Sequence, residues 1–109
     1  MSGLRERKCA ACAPGTPSLE AARAAGLLGQ LAVGWRIAED GRSLRRSFGF
    51  ADFHHTMAVV NAVAWIAHVE DHHPDLEVGY DYCRVTYSTH SVGGLSENDF
   101  ICAAKIDAL

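Results

Sequence analysis

No run in this 109-residue sequence approaches the roughly 20 consecutive apolar residues that a helix needs to cross a bilayer. The opening "MSGLRERKCAACAPG" is basic but lacks the apolar centre of a secretory signal, so the cytoplasm is the expected compartment. Excess positive charge is also missing. The formal net charge is −3 with neutral histidines, which weighs against nucleic acid or an anionic membrane as a partner. There is no phosphate loop, no dinucleotide fingerprint and no nucleophile motif. Cysteines number four, and they are badly placed for a zinc module: Cys9 and Cys12 form one C-x-x-C without a second pair. A thioredoxin-like reading needs that motif after a strand, and no strand precedes it. The simpler reading is a flexible tail without chemistry, with intermolecular metal or redox chemistry as the alternative. Cys83 and Cys102 read as small buried hydrophobes.

What is present is an ordinary globular composition, 49% hydrophobic and 21% charged, on a length that makes one domain with a modest core. Residues 1–17 read as a flexible tail, dispensable for folding and turnover, and 18–109 as the domain. Ser18 is a good N-cap for the Ala- and Leu-rich "SLEAARAAGLLGQL", with Glu20 in its first turn. "WRIAEDGRSLRRSFGF" predicts a hairpin with Asp40-Gly41 as its two-residue turn. Asp52 should cap a long helix whose apolar face runs through Phe53, Met57, Val60, Ala64 and Ala67. Pro74 stops that helix, leaving His72 at its end and His73 in the extended exit. "LEVGYDY" and "RVTYSTH" alternate as two antiparallel strands with a tight turn near Cys83. Ser96 and Asp99 have the S-x-x-D form of a helix start, so "NDFICAAKIDAL" is the last helix. The order α-β-β-α-β-β-α predicts an α+β domain: a four-stranded antiparallel sheet with helices on one face.

The chemistry-bearing residues cluster in "EDHHPDLEVGYDYCRVTYSTH". His72 and His73 follow a helix C-terminus, where a protonated imidazole is favoured by the macrodipole even without a functional role. His90 lies on the polar parity of its strand, so it faces either solvent or a cleft. The two strand and helix ends can converge on one side of the domain. Imidazoles there could serve as acid and base near neutral pH, for example in dehydrating a carbinolamine. His68 and His72, spaced i, i+4 with His90 as a third ligand, could instead hold zinc, but "HVEDH" lacks the glutamate of H-E-x-x-H.

Three segments, "FGFADFHHTMAVVNAVAWIAH", "EDHHPDLEV" and "STHSVGGLSENDF", together resemble the pterin-4a-carbinolamine dehydratase family, over roughly Leu19 to Leu109. The leader "KCAACAPGTPSL" is similar to that of many bacterial members. The resemblance implies dehydration of 4a-hydroxytetrahydropterin to quinonoid dihydropterin, which recycles the cofactor of aromatic amino acid hydroxylases. It implies His72, His73 and His90 as catalytic residues, with His73 favoured as the acid. It implies Asp99 at the family's acidic position and Trp35 as a wall of the pterin pocket. His68 stands where many members carry an acidic residue, on the same helix face as His72. No metal or organic cofactor is implied, and a homodimer or homotetramer is. The competing reading is a non-catalytic protein partner, such as a RuBisCO assembly factor of carboxysomes or a transcriptional coactivator, since fold alone does not decide function. A metal-binding protein is the third.

Overall fold

Two hairpins, each followed by a helix, make the body of the protein in a computed structural model that describes residues 3–109. Helix α1 (Ala21–Leu28) comes first. The first hairpin, β1 (Arg36–Ile37) and β2 (Leu44–Gly49), leads to α2 (Phe53–Glu70). The second, β3 (Asp75–Val78) and β4 (Tyr82–Tyr87), leads through a 3₁₀ turn (His90–Val92) to α3 (Glu97–Asp107). The strands lie in the order β1-β2-β4-β3, every neighbouring pair antiparallel, so the two hairpins join through β2 and β4.

Register sorts the side chains by face. Leu44 pairs with Tyr87, Phe48 with Cys83, and Leu76 with Val85. Because successive residues alternate faces, these six share one side, and Leu27, Val63, Phe100 and Ile101 from the three helices join that same core. Arg45, Ser47 and Arg84 take the opposite side and are exposed. The sheet therefore has one covered face, as the alternation predicts. Helix α3 enters on Ser96 at its N-cap, where the Asp99 carboxylate reaches back to accept the Ser96 backbone N–H at 3.0 Å and the Asp99 N–H donates to the Ser96 carbonyl at 3.2 Å. Asp52 caps α2, its carboxylate accepting from the His55 N–H at 2.9 Å, a cap whose loss typically costs about 1 kcal/mol.

Several local expectations need correction. Helix α1 begins at Ala21 with Glu20 at its N-cap, not Ser18. The chain is still extended at Leu19, whose N–H donates to the Leu95 carbonyl at 2.9 Å. The first hairpin closes with a four-residue loop, Glu39–Arg42, between the bonded pair Ala38 and Ser43, with Gly41 at φ 72°. Asp40 accepts from the Arg42 N–H, which favours this wider turn. The second hairpin turns at Gly79–Asp81, so Cys83 lies inside β4. The Tyr82 ring lies over Gly79, in space that a Cβ there would occupy. Helix α2 buries Thr56, Val63 and Glu70, a face that overlaps the expected one at Val60, which packs half-buried against the core, while Phe53 and Ala64 are exposed.

The expected loose tail is docked where it is described; Met1 and Ser2 lie outside the described residues. Leu4 is part of the core. Arg7 pairs with Glu97 at 2.6 Å, and Lys105 donates to the Arg5 carbonyl at 2.7 Å. Ala10 and Asn98 exchange two hydrogen bonds, at 3.1 and 2.7 Å. The physical reason lies in Glu70. Its carboxylate is buried at the end of α2 and takes the Cys9 N–H at 2.9 Å, with Lys8 and Lys105 at 3.7 and 3.8 Å. Burial pushes its pKa up, and those partners outweigh it to leave the net shift downward. A buried carboxylate without such partners would be costly, so the leader completes the domain.

Candidate active site

The site forms where α2 ends and where β4 passes into α3. Asp71 leaves α2 in the left-handed conformation, at φ 51°, and Pro74 keeps the exit extended. His72 thereby turns inward. Its Nε2–H donates to Asp99 Oδ1 at 2.6 Å, and its ring stacks on Tyr87 with centroids 5.8 Å apart and planes 11° apart. Asp99 is fully buried. Its other oxygen accepts from the Thr89 hydroxyl at 2.9 Å and from the Ser96 N–H at 3.0 Å. Thr89, having donated to Asp99, accepts from the Ser96 hydroxyl at 2.7 Å. The carboxylate is thus oriented on every side, and it fixes which nitrogen of His72 carries the proton.

Electrostatics follow from that pairing. Burial of the His72 ring pushes its pKa down, but the hydrogen bond and charge of Asp99, helped by Cys9 and Asp71, reverse this and leave it raised. His72 therefore holds its proton to higher pH than a free imidazole does. Nδ1 is the ring nitrogen that Asp99 leaves unengaged.

His73 and His90 are exposed neighbours of this pair. His73 Nδ1 lies 3.3 Å from the Pro74 carbonyl, a long contact in which the ring N–H donates. His90 opens the 3₁₀ turn immediately after Thr89. All three imidazoles line one cleft of about 210 Å³, with Asp71, Asp75 and Ser88 among its other walls. A second hollow of about 260 Å³ shares His72 and Thr89 with it and is walled by Cys9, Cys12 and Glu70. A larger groove beside β1, about 930 Å³, has no histidine in its walls. The cleft gathers potential proton donors and acceptors of the kind that acid–base chemistry needs.

The other expected site residues fall elsewhere. Asp99 does not line the cleft; it acts through His72 as a positioning residue, because its capping position draws the carboxylate inward. Trp35 is a core residue. Its ring meets Phe48 edge-on at 6.2 Å, and its Nε1–H donates to Asp107 at 2.8 Å. That carboxylate, which also binds Arg46 at 2.7 Å, gives the indole the partner it needs inside. His68 sits exposed on α2 against Trp65, with ring centroids 5.4 Å apart, away from the cleft walls. Thr89 and Tyr87 were not expected in the site. Both lie on the inward parity of β4 and its extension, and that alternation was the available signal.

The sequence profile of the family described as Pterin 4 alpha carbinolamine dehydratase matches residues 17–109. This chain belongs to the pterin-4a-carbinolamine dehydratase family. A relative from Nitrosomonas europaea, provisionally named a pterin-4-alpha-carbinolamine dehydratase, is 57% identical over 97% of this chain and 92% of its own length. One from Legionella pneumophila, named in the same way, is 52% identical over 99% of this chain and 96% of its own. Both alignments extend into the leader, beyond the span of the family profile. Among solved structures, a transcriptional coactivator/pterin dehydratase from Brucella melitensis superposes with a TM-score of 0.79 at 32% identity, covering 84% of this chain and 96% of that one. A pterin dehydratase-like protein described as a RuBisCO assembly factor in the alpha-carboxysome superposes at 0.60 and 25% identity, covering 69% and 87%. The dehydratase-family fold is the α+β arrangement described above. Among the described residues, no helix is long and apolar enough to cross a membrane.

Proposed function

We propose that this chain dehydrates 4a-hydroxytetrahydropterins to quinonoid dihydropterins, with the tetrahydrobiopterin form as its substrate in recycling for aromatic amino acid hydroxylation. The observation that carries the reading is His72 held on the buried Asp99 beside His73 and His90 around one cleft. The reaction breaks the C4a–O bond, so the departing hydroxyl needs a proton and leaves as water. A base must take the proton from N5. The raised pKa of His72 suits it to the acid's part, in place of His73 as first expected. His73 or His90 then receives the N5 proton. The Asp99 carboxylate stabilises the imidazolium without giving up its own bond to the Ser96 N–H.

Neither a metal nor an organic cofactor is needed for this chemistry, because both steps are proton transfers between side chains and substrate. Its compartment is the cytoplasm. Self-association belongs to the same reading: Phe53, Trp65 and Val69 on α2, together with Tyr80, leave apolar surface exposed. Sedimentation at micromolar concentration should give a homodimer or homotetramer, and a monomer would count against that part.

The decisive experiment supplies 4a-carbinolamine from a pterin-dependent hydroxylase and follows its disappearance with and without the purified chain. Loss no faster than in buffer would end the enzymatic reading. The same exposed apolar residues favour a second reading, in which the chain is a protein partner like those the two neighbouring structures are named for. A folded protein without turnover would move the weight there.

A further inference from the structure

The leader brings one thiol against another across the whole length of the chain. Cys9 Sγ lies 3.5 Å from Cys102 Sγ, and all four cysteines are free. Backbone contacts hold the pair in place. The Cys9 N–H is bound to Glu70, and its neighbour Ala10 is bound twice to Asn98, one turn before Cys102 on α3. The two sulfurs differ in access. Cys102 is completely buried, whereas Cys9 is part-exposed and walls the hollow next to the histidine cleft.

We propose that Cys9 and Cys102 form a thiol-oxidation site, in which a hydroperoxide oxidises Cys9 and Cys102 then closes a disulfide fastening the leader to α3 beside the cleft. The Cys9 thiolate attacks the distal peroxide oxygen. The O–O bond breaks, Cys9 becomes a sulfenic acid, and the peroxide leaves as water or an alcohol once protonated. The Cys102 sulfur then attacks the Cys9 sulfur. An S–S bond forms, the S–O bond breaks, and the hydroxide leaves as water with the Cys102 proton. Two electrons have passed from two thiols to one peroxide.

The surroundings fit this division of labour. A hydrogen bond from the Cys102 thiol holds the Cys9 thiol below its ordinary pKa despite burial, with His72 and Lys105 helping and Glu70 opposing. The same contact and burial push Cys102 upward, so it keeps its proton until the second step. A low thiol beside a buried partner is the arrangement that peroxide-sensitive cysteines use. The sulfurs must approach from 3.5 Å to the roughly 2.05 Å of a disulfide, a shift that a part-exposed leader can make. Cys12 is the obvious rival through its C-x-x-C spacing, but the sulfur that meets Cys102 at 3.5 Å is that of Cys9, whereas the Cys12 sulfur meets Asn98 Nδ2 at 3.9 Å.

The test treats the full chain with hydrogen peroxide, counts thiols in denaturant and maps cross-linked peptides by mass spectrometry. Four thiols should fall to two, reversibly with dithiothreitol, and the melting temperature should rise on oxidation. Cys12→Ser should still form the disulfide, and Cys9→Ser should not. Cys102→Ala alters the core, so the discriminating variants are those at Cys12 and Cys9. Four persistent thiols, a Cys9–Cys12 bridge, or a sulfinic Cys9 without a disulfide would each overturn the assignment.

Discussion

Replacing Asp99 by Asn keeps the shape of the side chain and removes its charge. The carboxylate now accepts three bonds: from His72 at 2.6 Å, Thr89 at 2.9 Å and the Ser96 N–H at 3.0 Å. An amide has one acceptor oxygen and one donor nitrogen. If the oxygen faces His72, the amide N–H₂ points at the Ser96 N–H and leaves a buried donor unmatched. If it faces Ser96, the nitrogen donates to His72 Nε2 and forces the opposite tautomer. Either way a charge-assisted bond is lost, and the expected fall in unfolding free energy is about 1–3 kcal/mol. The loss should depend on pH with a defined sign. The folded-state pKa of His72 is raised, so its stabilising contribution is complete below the unfolded value of about 6.5 and fades as pH rises through the folded value. The gap between wild type and Asp99→Asn should therefore be wider below the unfolded value and narrow as pH rises through the folded one. The groups facing His72 that remain are Cys9 and Asp71, which favour its charge, and the burial that opposes it. In the variant, its pKa should drop below that of the wild type. Urea denaturation at about pH 5.5 and about pH 8, with histidine titration by NMR, measures both quantities. A gap that does not change with pH, or a His72 that titrates no lower in the variant, would refute the pairing as the cause.

Three further outcomes follow from the same geometry. His73→Ala should lower turnover by roughly 10²–10⁴-fold, while stability changes by less than about 0.5 kcal/mol because the side chain is exposed; paired kinetic and denaturation measurements separate the two. Deleting residues 1–17 uncovers the Leu4 site and strips the Cys9 N–H from Glu70, so unfolding free energy should fall by about 2–4 kcal/mol, and an unchanged urea midpoint would show that the docked leader contributes nothing. Exhaustive chelation should leave turnover unchanged; stoichiometric zinc whose removal abolishes activity and whose return restores it would replace proton transfer with metal chemistry.

Strand alternation read the sheet well because one face of it is dry and the other wet: Val85 and Tyr87 are buried while Arg84 is exposed. The same test failed on α2 for a physical reason. Phe53, Val59, Val60, Val63, Trp65, Ile66 and Val69 surround the helix, so no single stripe stands out. Several apolar faces were available, and the one chosen from spacing overlaps the one that packs only in part, at Val60. Thr56 and Glu70 are buried there because each has a polar partner: Thr56 donates to the Tyr80 carbonyl at 3.0 Å, and Glu70 accepts from the leader. Neither partner can be read from the helix itself.

The histidine cleft was legible because element ends mark where chain segments meet, and His72, His73 and His90 all sit at such ends. Trp35 and His68 misled because residue type was read without direction; a tryptophan at a strand start and a histidine one turn before His72 can each point away from the cleft. Asp99 shows that two readings can both hold. The capping position that made it look merely structural is what buries the carboxylate and aims it at His72. The C-x-x-C of the leader shows most sharply how far a partner can lie from its motif. Cys9 and Cys12 looked isolated because metal and redox motifs are sought among near neighbours. The sulfur that Cys9 meets is 93 positions away, on the last helix, and Glu70, which draws the Cys9 backbone there, is 61 away. A buried carboxylate at a helix end demands donors, and that demand, rather than any spacing within the leader, sets where the cysteines lie.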